Sequence, residues 1–191
     1  MARIIILRHG NTFDPSDVVT RVGGRTDLPL SNSGVAQAKA IAAHFKGQTF
    51  THVYCSPLRR TRQTAEIVAG RAETLPFLTE IDYGPDENKP EAEVVARLGQ
   101  EAIEAWDSAA IVPNGWRVNP AQIKSDWTAF LAAYADQPGD ILVVTSNGTA
   151  RFLFDVTHTA EAFERKLKTG AYGTIAYHDG FPTITSWNIR P

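Results

Sequence analysis

Buried-strand and amphipathic-helix patterns alternate along the chain. An unbroken β-branched run at residues 3–7, RIIIL, is typical of a strand that is covered on both faces. After a loop, the apolar positions of residues 30–45 recur at helical spacing, and Ser31 or Ser33 can cap that helix. The same criteria predict a strand at 51–56, a helix at 57–70, an extended segment at 74–81, helices at 90–106 and 120–135, a strand within 139–148, helices at 149–156 and 160–168, and a hairpin at 172–189.

The alternation of strands and helices indicates an α/β fold. We expect three layers, α/β/α, around a mostly parallel central sheet, with an antiparallel hairpin at the C-terminal end. The segment HDGFP, residues 178–182, is the expected turn of that hairpin. Because no internal repeat or shift in composition marks a boundary, a single domain is expected over residues 1–191.

Composition places the chain among ordinary globular proteins. Of its 191 residues 43% are hydrophobic and 21% are charged, and the net charge of −2 gives no general attraction to nucleic acids or membrane surfaces. The single cysteine, Cys55, excludes an internal disulfide, and no two histidines have metal-ligand spacing, so no metal is expected. The apolar run at residues 4–7 is too short for a signal peptide or a membrane span, and a cytoplasmic location is expected.

Polar side chains follow the predicted strands, at the edge where open α/β sheets bind ligands. They are Arg8, His9, Gly10 and Asn11 after the first strand, Arg59, Arg60 and Arg62 after the second, Glu80 near the end of the extended segment, and Asn147 and Gly148 after the strand near residue 141. Arginine side chains match phosphate oxygens, and the N-terminus of a new helix adds its dipole. The pattern therefore predicts a site for a phosphoryl group.

Two roles are open for His9 at such a site: a general base, or a nucleophile that takes up the phosphoryl group. Glu80 is a candidate for protonating the leaving oxygen. Each residue also has a purely structural interpretation. A histidine at the end of a strand, a cluster of arginines on a helix, one carboxylate near a loop and an Asn-Gly pair are all common without chemistry.

Five segments in the same order resemble the histidine phosphatase superfamily, whose fold is that of phosphoglycerate mutase. They are LRHGNT at 7–12, GRTDLPLSNSGVAQAKAIA at 24–42, CSPLRRTRQTAEIV at 55–68, FLTEIDYG at 77–84 and ILVVTSNGTARFL at 141–153. The resemblance covers nearly the whole chain. The arginine, histidine and glycine of the first segment are a weak signal alone, whereas five ordered segments are a strong one.

The resemblance implies a role for each matching residue. His9 would be the nucleophile, Arg8 and Arg60 would hold the phosphoryl oxygens, and Glu80 would act as the acid and then as the base. Contacts to the substrate would come from Asn11, Arg25, Asn147 and Gly148. The resemblance implies no metal and no cofactor, and it implies a lid or insert over roughly residues 81–120.

The sequence departs from the family pattern at three places. Asn147 stands where the family has its second catalytic histidine, and an amide can donate a hydrogen bond but carries no charge. Asp14 lies in a loop that contacts phosphate in many members, where an acidic side chain would have to point away. Glu87 matches a family glutamate, but Asn88 takes the place of a glycine.

The sequence favours a phosphomonoesterase that hydrolyses a small phosphorylated substrate through a phosphohistidine. One alternative is a non-catalytic or weakly active member that binds a phosphorylated ligand or inorganic phosphate, and a second is a phosphoglycerate mutase-type phosphotransferase. No nucleic-acid or membrane partner is expected. The oligomeric state is open, with a homodimer as one option.

Overall fold

A seven-stranded sheet forms the centre of the computed structural model, which describes residues 2–191. The strands are β1 Ala2–Arg8, β2 Phe50–Cys55, β3 Glu73–Thr74, β4 Gly139–Thr145, β5 His158–Thr159, β6 Tyr172–His178 and β7 Phe181–Ile189. Their spatial order is β3-β2-β4-β1-β6-β7-β5, and among them β6 alone runs against the others. The mostly parallel sheet with a C-terminal hairpin is confirmed. Asp179 and Gly180 form the hairpin turn, both with positive φ.

Six α-helices connect the strands of the described chain. They are α1 Asn32–His44, α2 Arg59–Ala69, α3 Glu91–Leu98, α4 Gln100–Ala109, α5 Pro120–Tyr134 and α6 Asn147–Ala150. Short 3-10 helices cover Pro76–Leu78, Gly84–Asp86 and Arg151–Asp155. Of the two serines proposed to cap α1, Ser31 does so, since its side chain accepts from the backbone N–H of Gly34. Gly70 ends α2 in the left-handed conformation, as predicted.

The sheet is covered on both faces, which confirms the three-layer architecture. Alternate residues of β1 point to opposite faces, and the four residues at 4–7 are all buried, which explains the unbroken apolar run. Ile5 and Leu7 pack in a cluster with residues of α1 and α2. Ile4 and Ile6 pack in a second cluster that includes Trp127 of α5.

Two predicted elements before residue 110 are divided in the structure. The single helix predicted at 90–106 is wrong, because Gly99 adopts φ +84 and separates α3 from α4. Of the extended segment predicted at 74–81, only Thr74 lies in a strand, β3, which pairs with β2, and Pro76 then begins a 3-10 turn. The segment expected as a lid, residues 81–120, contributes Val94 and Trp106 to the core cluster of α5.

The helix predicted at 160–168 is absent from the structure. Its backbone amides bond to distant partners: Leu167 N–H donates to the side-chain oxygen of Asn147 at 2.8 Å, and Lys168 N–H donates to that of Asn188 at 2.8 Å. The helix predicted at 149–156 begins earlier, at Asn147, and becomes a 3-10 helix at Arg151. Within residues 2–191, no helix combines the length and the apolar character needed to cross a membrane.

Candidate active site

His9 lies directly beyond β1, at the carboxyl edge of the sheet. β1 is paired with β4 on one side and β6 on the other, and the backbone N–H of His9 donates to the carbonyl of Thr145 at 3.2 Å. Gly10 follows because a Cβ at that position would lie 2.4 Å from the carbonyl oxygen of Gly34. The imidazole is therefore held between a central strand and the start of α1.

Hydrogen bonds define the protonation of the His9 ring. Nδ1 lies 2.7 Å from the carbonyl oxygen of Gly10, and because a carbonyl only accepts, Nδ1 carries the proton. Nε of Arg60 donates to Nε2 of His9 at 3.2 Å, so Nε2 holds a lone pair. Burial, together with the charges of Arg60 and Arg8, lowers the pKa of His9 well below its usual value of 6.5. His9 is thus a neutral imidazole whose lone pair is on Nε2, where it accepts from Arg60.

Two arginine side chains flank the imidazole without a carboxylate partner among the described residues. Arg60 is fully buried, and its terminal nitrogens donate to the backbone oxygens of Thr26 at 2.8 Å and Gly23 at 3.2 Å. One terminal nitrogen of Arg8 donates to the carbonyl of Leu167 at 2.7 Å. Within residues 2–191, the buried Nε of Arg8 has no hydrogen-bond partner. Both cations are therefore available to balance an anion at His9.

Glu80 is nearly buried, with 7% of its surface exposed, and backbone N–H groups hold both of its oxygens. Oε1 accepts from Ile81 at 2.9 Å and Oε2 accepts from Gly148 at 3.3 Å. The segment before Glu80 is tied to the end of β4, since the hydroxyl of Thr145 donates to the carbonyl of Leu78 at 2.8 Å. These bonds position the carboxylate at the sheet edge beside His9.

Asn147 begins α6, and its side chain is 7% exposed. Its amide oxygen accepts from the backbone N–H of Leu167, which fixes the orientation of the side chain. Among the hydrogen bonds of the described residues, none uses the side-chain NH₂ of Asn147. That group is a neutral donor on the wall of the cavity that His9 also lines.

A cavity of about 560 Å³ brings most of the predicted side chains together. Its walls include Arg8, His9, Asn11, Glu80 and Asn147, and Arg60 reaches it through its contact with His9. In the part of the chain that the structure describes, no group of three or more His, Cys, Asp or Glu side chains is placed to hold a metal ion.

Two residues predicted to contact the substrate lie outside the cavity walls. Arg25 is about half exposed, pairs with Asp82 at 3.0 Å and donates to the carbonyl of Gly84 at 2.7 Å. Gly148 bonds to Glu80 instead, and a Cβ added to it would lie 2.1 Å from Oε1 of that carboxylate. Gly148 therefore helps to hold the carboxylate of Glu80 in place.

Asn11 lines the cavity, but its side chain holds neighbouring elements together. Its Nδ2 donates to the hydroxyl of Ser33 at 3.2 Å, and its Oδ1 accepts from the hydroxyl of Thr169 at 2.5 Å. Asn11 thus connects α1 to the segment before β6, and a direct contact with a ligand would compete with these bonds.

The unusual acidic residue in the first loop, Asp14, lines the cavity, but its carboxylate is bound at the start of α1. The carboxylate of Asp14 accepts from the backbone N–H groups of Asn32 at 3.3 Å and Ser33 at 2.9 Å, at the start of α1. The bond to the Ser33 backbone and the other hydrogen bonds lower the pKa of Asp14. Its charge is therefore used at the helix N-terminus.

The substitution of Asn88 for the family glycine also has a structural explanation. Asn88 adopts φ +58, a conformation that asparagine tolerates better than most residues. Glu87 accepts from the backbone N–H groups of Arg25 at 3.0 Å and Tyr83 at 3.1 Å. Glu87 thus braces the loop that carries Gly23 and Thr26, the backbone partners of Arg60.

The sequence did not single out Arg151, which also lines the cavity. Its guanidinium is fully buried, lies 3.9 Å from the centroid of the Trp106 ring and contacts Asp107 at 3.4 Å. Lys166 joins the same carboxylate at 2.8 Å. An arginine four residues after Asn147 was visible in the sequence, but its partners on α4 were not.

Arg21 was missed for the same reason. It lines the cavity and is bound by Glu91, the first residue of α3, with an Nε to Oε2 distance of 3.0 Å. Its guanidinium also lies 5.4 Å from the ring of Tyr83 and 5.1 Å from that of Trp116.

The arrangement is suited to phosphoryl transfer, because a neutral imidazole faces two cations that contact no carboxylate of the described chain, and the carboxylate of Glu80 lines the same cavity. The model of the histidine phosphatase superfamily (branch 1) matches residues 4–190. The chain belongs to the histidine phosphatase superfamily. The family resemblance is thereby confirmed. The four residues for which it implies a catalytic role lie together at one edge of the sheet: His9, Arg8, Arg60 and Glu80.

Among curated proteins, the chain is 37% identical over 121 residues to "Probable phosphoglycerate mutase GpmB" of Proteus mirabilis. That match covers 60% of this chain and 53% of the relative. A protein of the same name from Yersinia pestis is 36% identical over 94 residues, which are 47% of this chain and 43% of the relative. The matches thus span about half the length of these relatives.

Solved structures show the same fold at low sequence identity. The mycobacterial glucosyl-3-phosphoglycerate phosphatase superposes with a TM-score of 0.80 at 18% identity, with 99% of each chain covered. The Entamoeba histolytica phosphoserine phosphatase in complex with 3-phosphoglyceric acid gives 0.74 at 23% identity, covering 99% of this chain and 98% of that one. The Shigella flexneri alpha-ribazole phosphatase gives 0.72 at 21% identity, covering 98% and 96%.

Proposed function

We propose that the protein is a phosphomonoesterase that hydrolyses a small phosphorylated substrate through a phosphohistidine at His9. The observation that carries this proposal is the state of the imidazole. Its proton is on Nδ1, its lone pair is on Nε2, and the two nearest cations have no carboxylate partner in the described chain. An imidazole held in this form is ready to attack an electrophile that brings its own negative charge.

In the first step, the Nε2 lone pair of His9 attacks phosphorus and the bond from phosphorus to the ester oxygen breaks. Arg8 and Arg60 offset the charge on the non-bridging oxygens, and the free NH₂ of Asn147 adds a neutral donor. The protonated carboxyl of Glu80 gives its proton to the leaving oxygen, so that an alcohol departs. His9 is then a phosphohistidine and Glu80 a carboxylate.

In the second step, water replaces the alcohol. The oxygen of a water molecule attacks phosphorus while the Glu80 carboxylate takes a proton from that water. The bond from Nε2 of His9 to phosphorus breaks. Inorganic phosphate leaves, the lone pair returns to Nε2, and Glu80 is again protonated. The two backbone N–H groups on Glu80 hold one carboxyl group in position for both steps.

The proposal is tested by hydrolysis of p-nitrophenyl phosphate and of a panel of phosphorylated metabolites, with the wild type and His9→Ala compared side by side. We expect turnover by the wild type and none above background by His9→Ala. Equal rates for the two proteins on every substrate would overturn the proposal.

A second candidate function is a phosphoryl-ligand binder with little or no turnover. The observation that favours it is Asn147, whose amide supplies no charge at the cavity wall. Removing one donor to the transition state typically costs on the order of 10² to 10³ in rate. The variant Asn147→His separates the two functions: a large gain in turnover would show an impaired native site, whereas a loss would show a site adapted to asparagine.

A further inference from the structure

The charged side chains of the cavity that lie away from His9 are bound to one another. Arg21 is held by Glu91, with the Nε to Oε2 distance of 3.0 Å. Arg151 and Lys166 share the carboxylate of Asp107, at 3.4 and 2.8 Å. In contrast to Arg8 and Arg60, each of these cations already contacts a carboxylate, although Arg151 and Lys166 share one, so that three cations face two carboxylates.

The excess of positive charge is therefore larger beside His9, where neither Arg8 nor Arg60 contacts a carboxylate of the described chain, than in the rest of the cavity. Four cationic and four anionic side chains line it, and Arg60 adds a fifth cation at His9. A second anionic group on the substrate would have to displace Glu91 or Asp107, or enter beside these carboxylates, where each cation is already engaged. Either course is unfavourable, because a desolvated charge without a partner is costly.

The mouth of the cavity, in addition, has an apolar side. Phe13, Pro15, Val19 and Val22 of the loop after β1 line it. Val19 is 55% exposed, although a valine gains by being covered. The volume of about 560 Å³ is within the ordinary range for sites of organic ligands, so space remains beyond a phosphoryl group bound at His9.

We propose that the leaving group of the substrate is an uncharged alcohol with an apolar face, which packs against the loop side chains around Val19. The preferred substrates are then phosphate monoesters with one anionic group, and esters that carry a second carboxylate or phosphate bind poorly. This inference rests on the proposed function, because it takes His9 as the place where the phosphoryl group binds.

Two phosphonates of nearly equal shape test the inference on the wild-type protein without turnover. In 3-methylbutylphosphonate the chain ends in two methyl groups, and in 3-phosphonopropanoate it ends in a carboxylate. Isothermal titration calorimetry should give a dissociation constant at least roughly tenfold lower for 3-methylbutylphosphonate, as is usual when apolar groups enter an apolar pocket. Equal affinities, or tighter binding of 3-phosphonopropanoate, would overturn the inference and leave the phosphoryl site at His9 intact. Failure of both to bind would overturn the phosphoryl site and the inference with it.

Two adjacent valines provide a matched pair of variants. Val19 lines the cavity, whereas Val18 is 71% exposed and is not among the lining residues. Val19→Asp should weaken binding of 3-methylbutylphosphonate by roughly tenfold, and Val18→Asp should leave it nearly unchanged. Equal effects of the two substitutions would overturn the assignment of the apolar face.

A third variant tests Arg21, the cation that is paired with Glu91. Glu91→Gln frees Arg21 from its carboxylate, so 3-phosphonopropanoate should bind several-fold more tightly while 3-methylbutylphosphonate does not. No gain for 3-phosphonopropanoate would contradict the view that paired cations exclude a second anion.

Discussion

At His9, the hydrogen bonds to the ring decide the chemistry that is possible. The sequence predicted a histidine beside arginines at a strand end, because the apolar run of β1 stops at Arg8. It left open whether the ring is a base or a nucleophile, since the choice depends on the Gly10 carbonyl and on Arg60, fifty-one residues away along the chain. Local pattern predicts where such a side chain lies, and tertiary contacts determine its protonation.

The protonation of His9 can be observed directly by ¹H–¹⁵N NMR of the imidazole during a pH titration. Burial and the two arginines disfavour the cation, so the ring should stay neutral, with its proton on Nδ1, to well below pH 6.5. Removing one of these charges in Arg60→Met should raise the titration midpoint of His9.

The matched control is Arg59→Met, since Arg59 is the exposed neighbour of Arg60 on α2. It should leave the midpoint of His9 unchanged. A wild-type midpoint at or above 6.5, the usual pKa of histidine, would contradict this description of the site.

Gly148 offers a test of how Glu80 is positioned. The added methyl of Gly148→Ala would lie 2.1 Å from Oε1 of Glu80, so the carboxylate must move. Turnover should fall by roughly 10² to 10⁴, the usual contribution of a general acid, and Glu80→Gln should cause a similar loss. Steady-state kinetics of the double variant should show little further loss beyond either single one, whereas fully additive losses would show that Gly148 acts independently of Glu80.

At the scale of elements, the sequence predicted the helices and strands whose limits are set by the spacing of apolar residues and by local capping or turn residues. β1, α1, α2 and the C-terminal hairpin are of this kind, and Ser31, Gly70 and Asp179-Gly180 mark their ends. The helix predicted at 160–168 was wrong, although the residues there favour a helix. Backbone N–H groups of this segment donate instead to the side chains of Asn147 and Asn188. Arg151 and Arg21 were missed because the acidic partners that define them lie on α4 and α3.

The loop after β1 and the start of α3 are joined at Asn88, which is held at φ +58. Thr20 donates to its side chain at 2.8 Å, and substitution by alanine or glycine removes that bond equally. Asn88→Gly should nevertheless be more stable than Asn88→Ala by about 0.5–1 kcal/mol, since glycine adopts positive φ without steric cost. Urea unfolding midpoints measure the difference, and an alanine variant as stable as the glycine one would contradict the conformation.

At the scale of the whole molecule, one sheet edge collects side chains from β1, α2, the segment before Glu80 and α6. The alternation of strands and helices predicted the α/β layers and the edge where they would meet. It could not predict the cavity, whose far wall is built by Trp106 and Asp107 of α4 and by Lys166. These walls depend on packing between segments distant in sequence.

A ligand that binds only the folded chain raises its stability, so inorganic phosphate should raise the melting temperature. A hundredfold excess over the dissociation constant corresponds to about 2.7 kcal/mol. The shift should be lost in Arg60→Met and kept in Arg59→Met, as measured by differential scanning calorimetry over a phosphate series. Equal shifts in the two variants would place the phosphate elsewhere on the protein.

The central claim is that His9 carries the phosphoryl group during turnover. Its most direct test is rapid quenching of the wild-type protein with p-nitrophenyl phosphate into alkaline denaturant, followed by mass spectrometry of the peptide that contains His9. The account predicts one phosphoryl group on His9, formed and lost at rates that match turnover, and none in His9→Ala. Turnover by the wild type with no phosphorylated His9 at any time point would contradict it.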